Sequence, residues 1–285
     1  MPVEPPVLTA RSLADAYAAL ADAPYRPIAG GTDLHVQITG ELGPAPERVL
    51  DLWRLDELRG ITLDGGAVVL GALTTYTEIR QSAVCREHLP ALVDAAATIG
   101  AAQIQNRGTL GGNAVNASPA GDTLAVLLAT GAEFVVGSGR GERIIPAGDF
   151  WVAYRQTALT PDELLLRIRI PIAADREVRF RKIGTRRAQA ISKVVIALAW
   201  RAAEARSPWS AVHVALGSVA DRPIRARAAE AVLEGASPTP QTADAAAEAL
   251  ATELRPIDDV RSTAEYRRVV AARVLHRLIR DVGGW

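Results

Sequence analysis

Two glycine-rich stretches of this 285-residue chain have the residue types to hold an anionic ligand: Ile28-Ala29-Gly30-Gly31-Thr32-Asp33-Leu34 and Gly108-Thr109-Leu110-Gly111-Gly112-Asn113. Glycine carries no side chain, so backbone amides can approach a ligand closely, and clustered amides are a common cradle for phosphate oxygens. The Thr32 and Thr109 hydroxyls add donors, so phosphate could be held without a lysine. Neither stretch has the G-x-G-x-x-G spacing of a dinucleotide-binding strand–helix turn or the Gly-Lys-Ser/Thr step of a P-loop. Each could also be a plain tight turn. Asn106, Asn113, Asn116, Ser118 and Asp122 crowd around the second stretch and favour the ligand reading, although Asp122 fits a helix N-cap equally well.

Other chemistry is scarce. His35, His88, His213 and His276 are scattered without ligand spacing, so no metal site is expected. Cys85 is the only cysteine, which excludes an internal disulfide and any iron–sulfur cluster built from this chain alone. No nucleophile–base grouping or carboxylate pair stands out, so no catalytic residue is assigned. Lys182 lies in a basic run with Arg179, Arg181, Arg186 and Arg187 that reads as a solvated strand and turn.

Lys plus Arg and Asp plus Glu number 32 each, which offers no electrostatic pull toward nucleic acid or an anionic membrane. The richest apolar run, residues 124–136, is interrupted by Glu133 and is too short to span a bilayer. The opening MPVEPPVLTA lacks the layout of a secretion signal, and with the lone cysteine this makes a reducing cytoplasm the expected compartment.

The elements that must carry these residues follow from caps and periodicity. Ser12-x-x-Asp15 predicts a capping box and a helix ended by Pro24; an extended piece leads into the first glycine stretch, and a strand is expected over residues 48–52. A second unit contains a strand at AVVLGA, a capping box at Thr75-x-x-Glu78, and a helix through Leu89, Leu92, Val93, Ala96 and Ile99. The second glycine stretch then reads as a long loop, with Asp122 capping the next helix. AEFVV, RIIP and ELLLRIRIP read as strands. Strands VRFRKI, SKVVIALAW and AVHVALGSV, followed by three helices, predict an α+β C-terminal domain with helices on one face of an antiparallel sheet.

IAGGTDL, followed by TIGAAQIQNRGTLGGNAVNASPAGD, YRQTALTPDELLLRIRIP and FRKIGTRRAQAISKV, resembles the flavin-binding subunit of the xanthine dehydrogenase and carbon monoxide dehydrogenase family of molybdenum hydroxylases. The resemblance implies an α+β fold: a two-part FAD-binding domain of the vanillyl-alcohol-oxidase (PCMH) type over residues 1–173, with subdomains of about 1–57 and 58–173, then the C-terminal domain over 174–285. It implies non-covalent FAD. It carries Ile28, Ala29, Gly30, Gly31, Thr32, Asp33 and Leu34, with Thr109, Leu110, Gly111, Gly112 and Asn113, onto the pyrophosphate. Asp122 goes to the ribityl or ribose hydroxyls, Ile99 to the adenine, Leu165 and Lys182 to the flavin ring, and Ser118 to a supporting contact.

The family function so implied is an electron-transfer subunit. Electrons arrive from [2Fe-2S] clusters on a small partner subunit, beside a large molybdopterin-binding subunit, and leave to NAD+ or another acceptor; the heterotrimer is expected to dimerise. Two alternatives are a free-standing FAD oxidoreductase acting on a small substrate, and a flavin-free docking scaffold.

Overall fold

The computed structural model describes residues 4–40, 43–186, 189–204 and 206–285. Arg187, part of the basic run above, lies outside the described residues.

The first unit is built from β1 (Val7–Thr9), α1 (Leu13–Asp22), β2 (Arg26–Ile28), α2 (Leu34–Thr39) and β3 (Val49–Asp51). The strands form a parallel sheet in the order β1-β3-β2. Ser12 caps α1 by accepting from the Asp15 amide at 3.1 Å, but the Asp15 carboxylate accepts from Arg11 N rather than from Ser12 N, so half of the expected capping box forms. Ala16 and Leu20 of α1 bury against Leu50, Leu52 and Leu55. The first glycine stretch is the turn from β2 into α2, at the C-terminal end of a parallel strand, where α/β sheets commonly bind ligands.

The second unit opens with β4 (Ile61–Asp64) and β5 (Ala67–Gly71), then a series of short helices: α3 (Tyr76–Gln81), α4 (Ala83–His88), α5 (Pro90–Ala97), α6 (Ala102–Gln105), α7 (Leu110–Asn116) and α8 (Leu124–Ala129). It continues with β6 (Glu133–Ser138), β7 (Gly141–Pro146), α9 (Ala147–Phe150), β8 (Trp151–Ala153), β9 (Gln156–Thr157) and β10 (Leu164–Pro171). A five-stranded antiparallel sheet runs β4-β5-β10-β6-β7, and β8 and β9 form a separate hairpin. Thr75 and Glu78 complete a reciprocal capping box on α3, as their spacing predicts.

The expected loop at 104–122 is mostly helical. Thr109 is the N-cap of α7, accepting from Gly112 N at 3.0 Å, and Gly111 and Gly112 lie inside the helix. Glycine is a poor helix former, so the sequence pattern concealed α7; what holds it is packing. Leu110 and Ala114 are fully buried, and Trp151 Nε1 donates to Ala114 O at 2.9 Å. Asp122 does not cap α8. Thr123 stands at that position, and its hydroxyl donates to Asn113 Oδ1 at 2.7 Å.

The C-terminal domain contains β11 (Arg176–Ile183), β12 (Val194–Arg201), β13 (Ser210–Gly217) and β14 (Ile224–Arg225) in an antiparallel sheet of that order, then α10 (Arg227–Leu233), α11 (Pro240–Glu253) and α12 (Ala264–Gly283). Strand β12 divides its side chains by the two-residue period of a strand. Val194, Ile196, Leu198 and Trp200 bury with Ala229, Leu250, Leu275 and Ile279 from the three terminal helices. Val195, Ala197 and Ala199 bury on the opposite face with Leu92 of α5 and Leu124 and Leu128 of α8. The first face carries the larger side chains; on the second, small residues let α5 and α8 pack close against the strand, so β12 joins the two domains as well as its own sheet and helices. Among the described residues no helix is long and apolar enough to cross a membrane.

Candidate functional site

A cleft of about 1240 Å³ opens where the three sheets and their connecting segments meet. That exceeds the roughly 300–1,000 Å³ of ordinary small-molecule sites. Its lining includes Ile28 to Leu34, Ile99, Thr109, Gly111, Gly112, Asn113, Ser118, Asp122, Leu165 and Lys182. Sixteen of the seventeen sequence-assigned positions therefore share one cavity. Leu110 is the exception: its side chain is buried in the core, and its amide donates to Thr74 O at 2.9 Å.

The two glycine stretches play different parts. Among the described residues, no protein acceptor takes the amides of Gly30, Gly31, Thr32 or Asp33, all of which line the cleft. The matching amides of the second stretch are spent: Gly111 N donates to Ala72 O at 2.9 Å, Gly112 N to Thr109 Oγ1 at 3.0 Å, and Asn113 N to Thr109 O at 3.0 Å. The expectation that both stretches offer a row of amides is corrected on this point.

Close approach explains two of the glycines. A Cβ on Gly111 would lie 2.6 Å from Ala72 O, and one on Gly30 would lie 1.7 Å from Arg107 O. Gly30 is therefore where the first glycine turn presses flat against the segment leading into α7, and Gly111 is where α7 meets the end of β5.

Asp33 braces the first turn. Its Oδ1 accepts from Asn116 Nδ2 at 3.0 Å, and Asn116 Oδ1 accepts from Arg155 at 3.0 Å. Burial pushes the Asp33 carboxyl above its ordinary pKa, and Arg155 and the Asn116 bond oppose that shift. Arg155 sits at the tip of the β8–β9 hairpin with φ of 53°, so hairpin, α7 and first turn are joined by one chain of side chains. Ser118 Oγ accepts from Ala120 N at 3.3 Å, a turn contact within the lining.

Lys182 is not the solvated strand lysine its neighbours suggest. Its side chain is 9% exposed; Nζ donates to Asp122 Oδ2 at 2.5 Å and to Thr98 O at 3.1 Å. Desolvation raises the Asp122 carboxyl to about 6, with Lys182 pulling it back down. Asp122 Oδ1 is buried with no hydrogen-bond partner among the described residues. A buried polar atom is ordinarily satisfied, so an orphaned oxygen on a residue that lines the cleft marks a place for a ligand donor.

Sequence reasoning passed over Tyr76, Ser192 and Ser218, which also line the cleft. Ser192 Oγ donates to Ala120 O at 3.0 Å, and Ser218 N donates to Pro119 O at 2.7 Å, so the C-terminal domain fastens the loop that carries Asp122. Isolated serines near strand ends give no sequence signal. Tyr76 was visible only as the first residue after a cap.

Comparison with known proteins identifies the family. Residues 3–173 match the FAD binding domain in molybdopterin dehydrogenase, and residues 179–282 match the CO dehydrogenase flavoprotein C-terminal domain. The chain is 31% identical over 283 residues to the xanthine dehydrogenase FAD-binding subunit of Escherichia coli O157:H7, covering 96% of each. It is 34% identical over 281 residues to the carbon monoxide dehydrogenase medium chain of Afipia carboxidovorans, covering 94% of this chain and 93% of that one. Among solved structures, a chain of carbon monoxide dehydrogenase from Hydrogenophaga pseudoflava superposes with a TM-score of 0.92 at 31% identity, covering 97% of this chain and 96% of that one. The fold, the shared cleft and these matches together place the chain in the family of FAD-binding medium subunits of xanthine and carbon monoxide dehydrogenase-type molybdenum hydroxylases.

Proposed function

We propose that this chain carries FAD between a [2Fe-2S]-bearing small subunit, which delivers electrons from a large molybdopterin subunit, and an acceptor such as NAD+. We place the complex in the cytoplasm as a heterotrimer that dimerises, with the boundary between the FAD-binding and C-terminal domains near residue 173.

The residues fit the cofactor on two counts. The row of amides at Gly30–Asp33, with the Thr32 hydroxyl, suits a pyrophosphate, and the orphaned Asp122 Oδ1 suits a sugar-chain hydroxyl, which can donate to it. FAD, when bound, supplies the capacity to exchange electrons singly on one side and in pairs on the other.

The protein's part is to bind, orient and set the local field. Thr109 and Asn113 contribute polar side chains, with Asn113 Oδ1 already held by Thr123. Ile99 and Leu165 supply apolar walls. Lys182 keeps the Asp122 carboxylate oriented by bonding one oxygen and leaving the other without a protein partner. The Asp33–Asn116–Arg155 chain holds the amide row in place.

The observation that carries this reading is the convergence of amide row, orphan carboxylate oxygen and buried lysine on one large cleft. Co-purification tests it. The chain expressed with its neighbouring subunits should yield a complex containing FAD, molybdopterin and iron–sulfur clusters, in which reduced clusters bleach the flavin absorbance. A flavin that reduces only by direct reaction with a small substrate would contradict it.

A further inference from the structure

Three consecutive carbonyls at the C-terminal end of α5 are met by side chains from two different elements. Gln105 Nε2 donates to Ile99 O at 2.9 Å and reaches Ala97 O at 3.4 Å. Between them, Thr98 O accepts from Lys182 Nζ at 3.1 Å. A helix ends with carbonyls that lack intrahelical donors and with a partial negative charge, so an amide N–H and an ammonium are both stabilised there.

Gln105 is itself anchored. It is 5% exposed, and its Oε1 accepts from Arg80 of α3. The next residue repeats the connection, with Asn106 Oδ1 accepting from Thr77 Oγ1 at 2.6 Å. Helix α6 is thereby tied to α3 at two adjacent points, and just beyond it Arg107 presents the carbonyl against which Gly30 packs. Gln105 does not line the cleft, yet the Ile99–Gly100 segment that its side chain holds does, and so does the Gly108–Thr109 segment that follows it in the chain.

We propose that Gln105 is a positioning residue for the cofactor site: by holding the Ala97 and Ile99 carbonyls it fixes Thr98 O, and through it the placement of Lys182 and Asp122. The inference rests on the FAD reading above. Glutamine has the chemistry the position needs, because one end accepts from a guanidinium while the other donates to carbonyls. Glutamate would keep the Arg80 contact but set an oxygen against two carbonyl oxygens. Methionine would fill the space with neither bond.

A double-mutant cycle on FAD affinity tests this, using FAD itself as the probe in fluorescence titrations of the full chain. Gln105→Glu should weaken FAD binding tenfold or more, with Gln105→Met intermediate. Because Gln105 acts through Lys182, the Gln105→Glu/Lys182→Met chain should bind within about threefold of the weaker single variant, whereas independent effects would multiply. Should the buried variants fold poorly, Arg80→Met, which changes only the exposed anchor, should weaken binding less and show the same non-additivity with Lys182→Met. Multiplying effects, or affinities within twofold of wild type for Gln105→Glu and Gln105→Met, overturn the inference alone. A wild-type chain that takes up no FAD overturns the cofactor reading and this inference with it.

Discussion

At the scale of single residues, the Lys182–Asp122 pair changes what a cation in this cleft can do. The resemblance carries Lys182 onto the flavin ring, where an uncompensated ammonium would raise the flavin potential. The structure pairs it with a buried carboxylate, so the two charges largely cancel at any distance beyond a few ångströms. Asp122→Asn should therefore raise the flavin potential, because it leaves the ammonium uncompensated. Lys182→Met should lower it by less, because the abandoned carboxyl takes up a proton. Dye-equilibrated redox titration at pH 8 checks both; a large fall for Lys182→Met with no change for Asp122→Asn would mean that the lysine acts as a bare cation.

The same carboxyl leaves a signature in stability. With a folded-state pKa of about 6 against an ordinary 3.8, native Asp122 keeps its proton over a range where the unfolded chain has lost its own. Stability therefore falls as pH rises from about 4 to about 6, by on the order of 3 kcal/mol, and is level above that window. Urea denaturation of the FAD-free chain at several pH values should show wild type losing this amount relative to Asp122→Asn. A difference that is constant with pH would contradict the buried-acid account.

At the scale of elements, α7 shows where sequence legibility stopped. The order of residues from Thr98 to Asp122 was enough to mark positions that line the cleft, and Thr75-x-x-Glu78 was enough to place the start of α3. A helix whose first turn contains Gly111 and Gly112 could not be seen, because its stability comes from tertiary contacts at Leu110, Ala114 and Trp151 rather than from propensity. Composition likewise could not separate a glycine that frees an amide for ligand from one that lets two backbones touch; Gly30 and Gly111 needed the neighbouring carbonyls to be known. Gly111→Ala puts a methyl against Ala72 O and Ala72 Cβ, both backbone-proximal, so it should cost about 1–3 kcal/mol and lower the melting temperature of the FAD-free chain. An unshifted melting curve would show that α7 can slide away from β5.

At the scale of the whole molecule, the alternation along β12 was legible as an unbroken apolar run, but its consequence was not. A strand buried on both faces needs two partners, and only the fold shows the second to be α5 and α8 of the FAD-binding domain. The C-terminal domain is thus part of the cleft's construction: Lys182, Ser192 and Ser218 come from it, while the glycine turns, Thr109 and Asp122 come from the other domain. A chain ending at residue 173 should bare the α5 and α8 face, lose Lys182, and fail to bind FAD even if it stays folded. The account's central claim is that this joint cleft holds FAD. It is tested most directly by adding FAD to the purified full-length apo-chain and measuring stoichiometry by absorbance after desalting. One FAD per chain, released intact by heat or acid and diminished in Asp122→Asn, is the predicted result; a chain that stays colourless with excess FAD would contradict it.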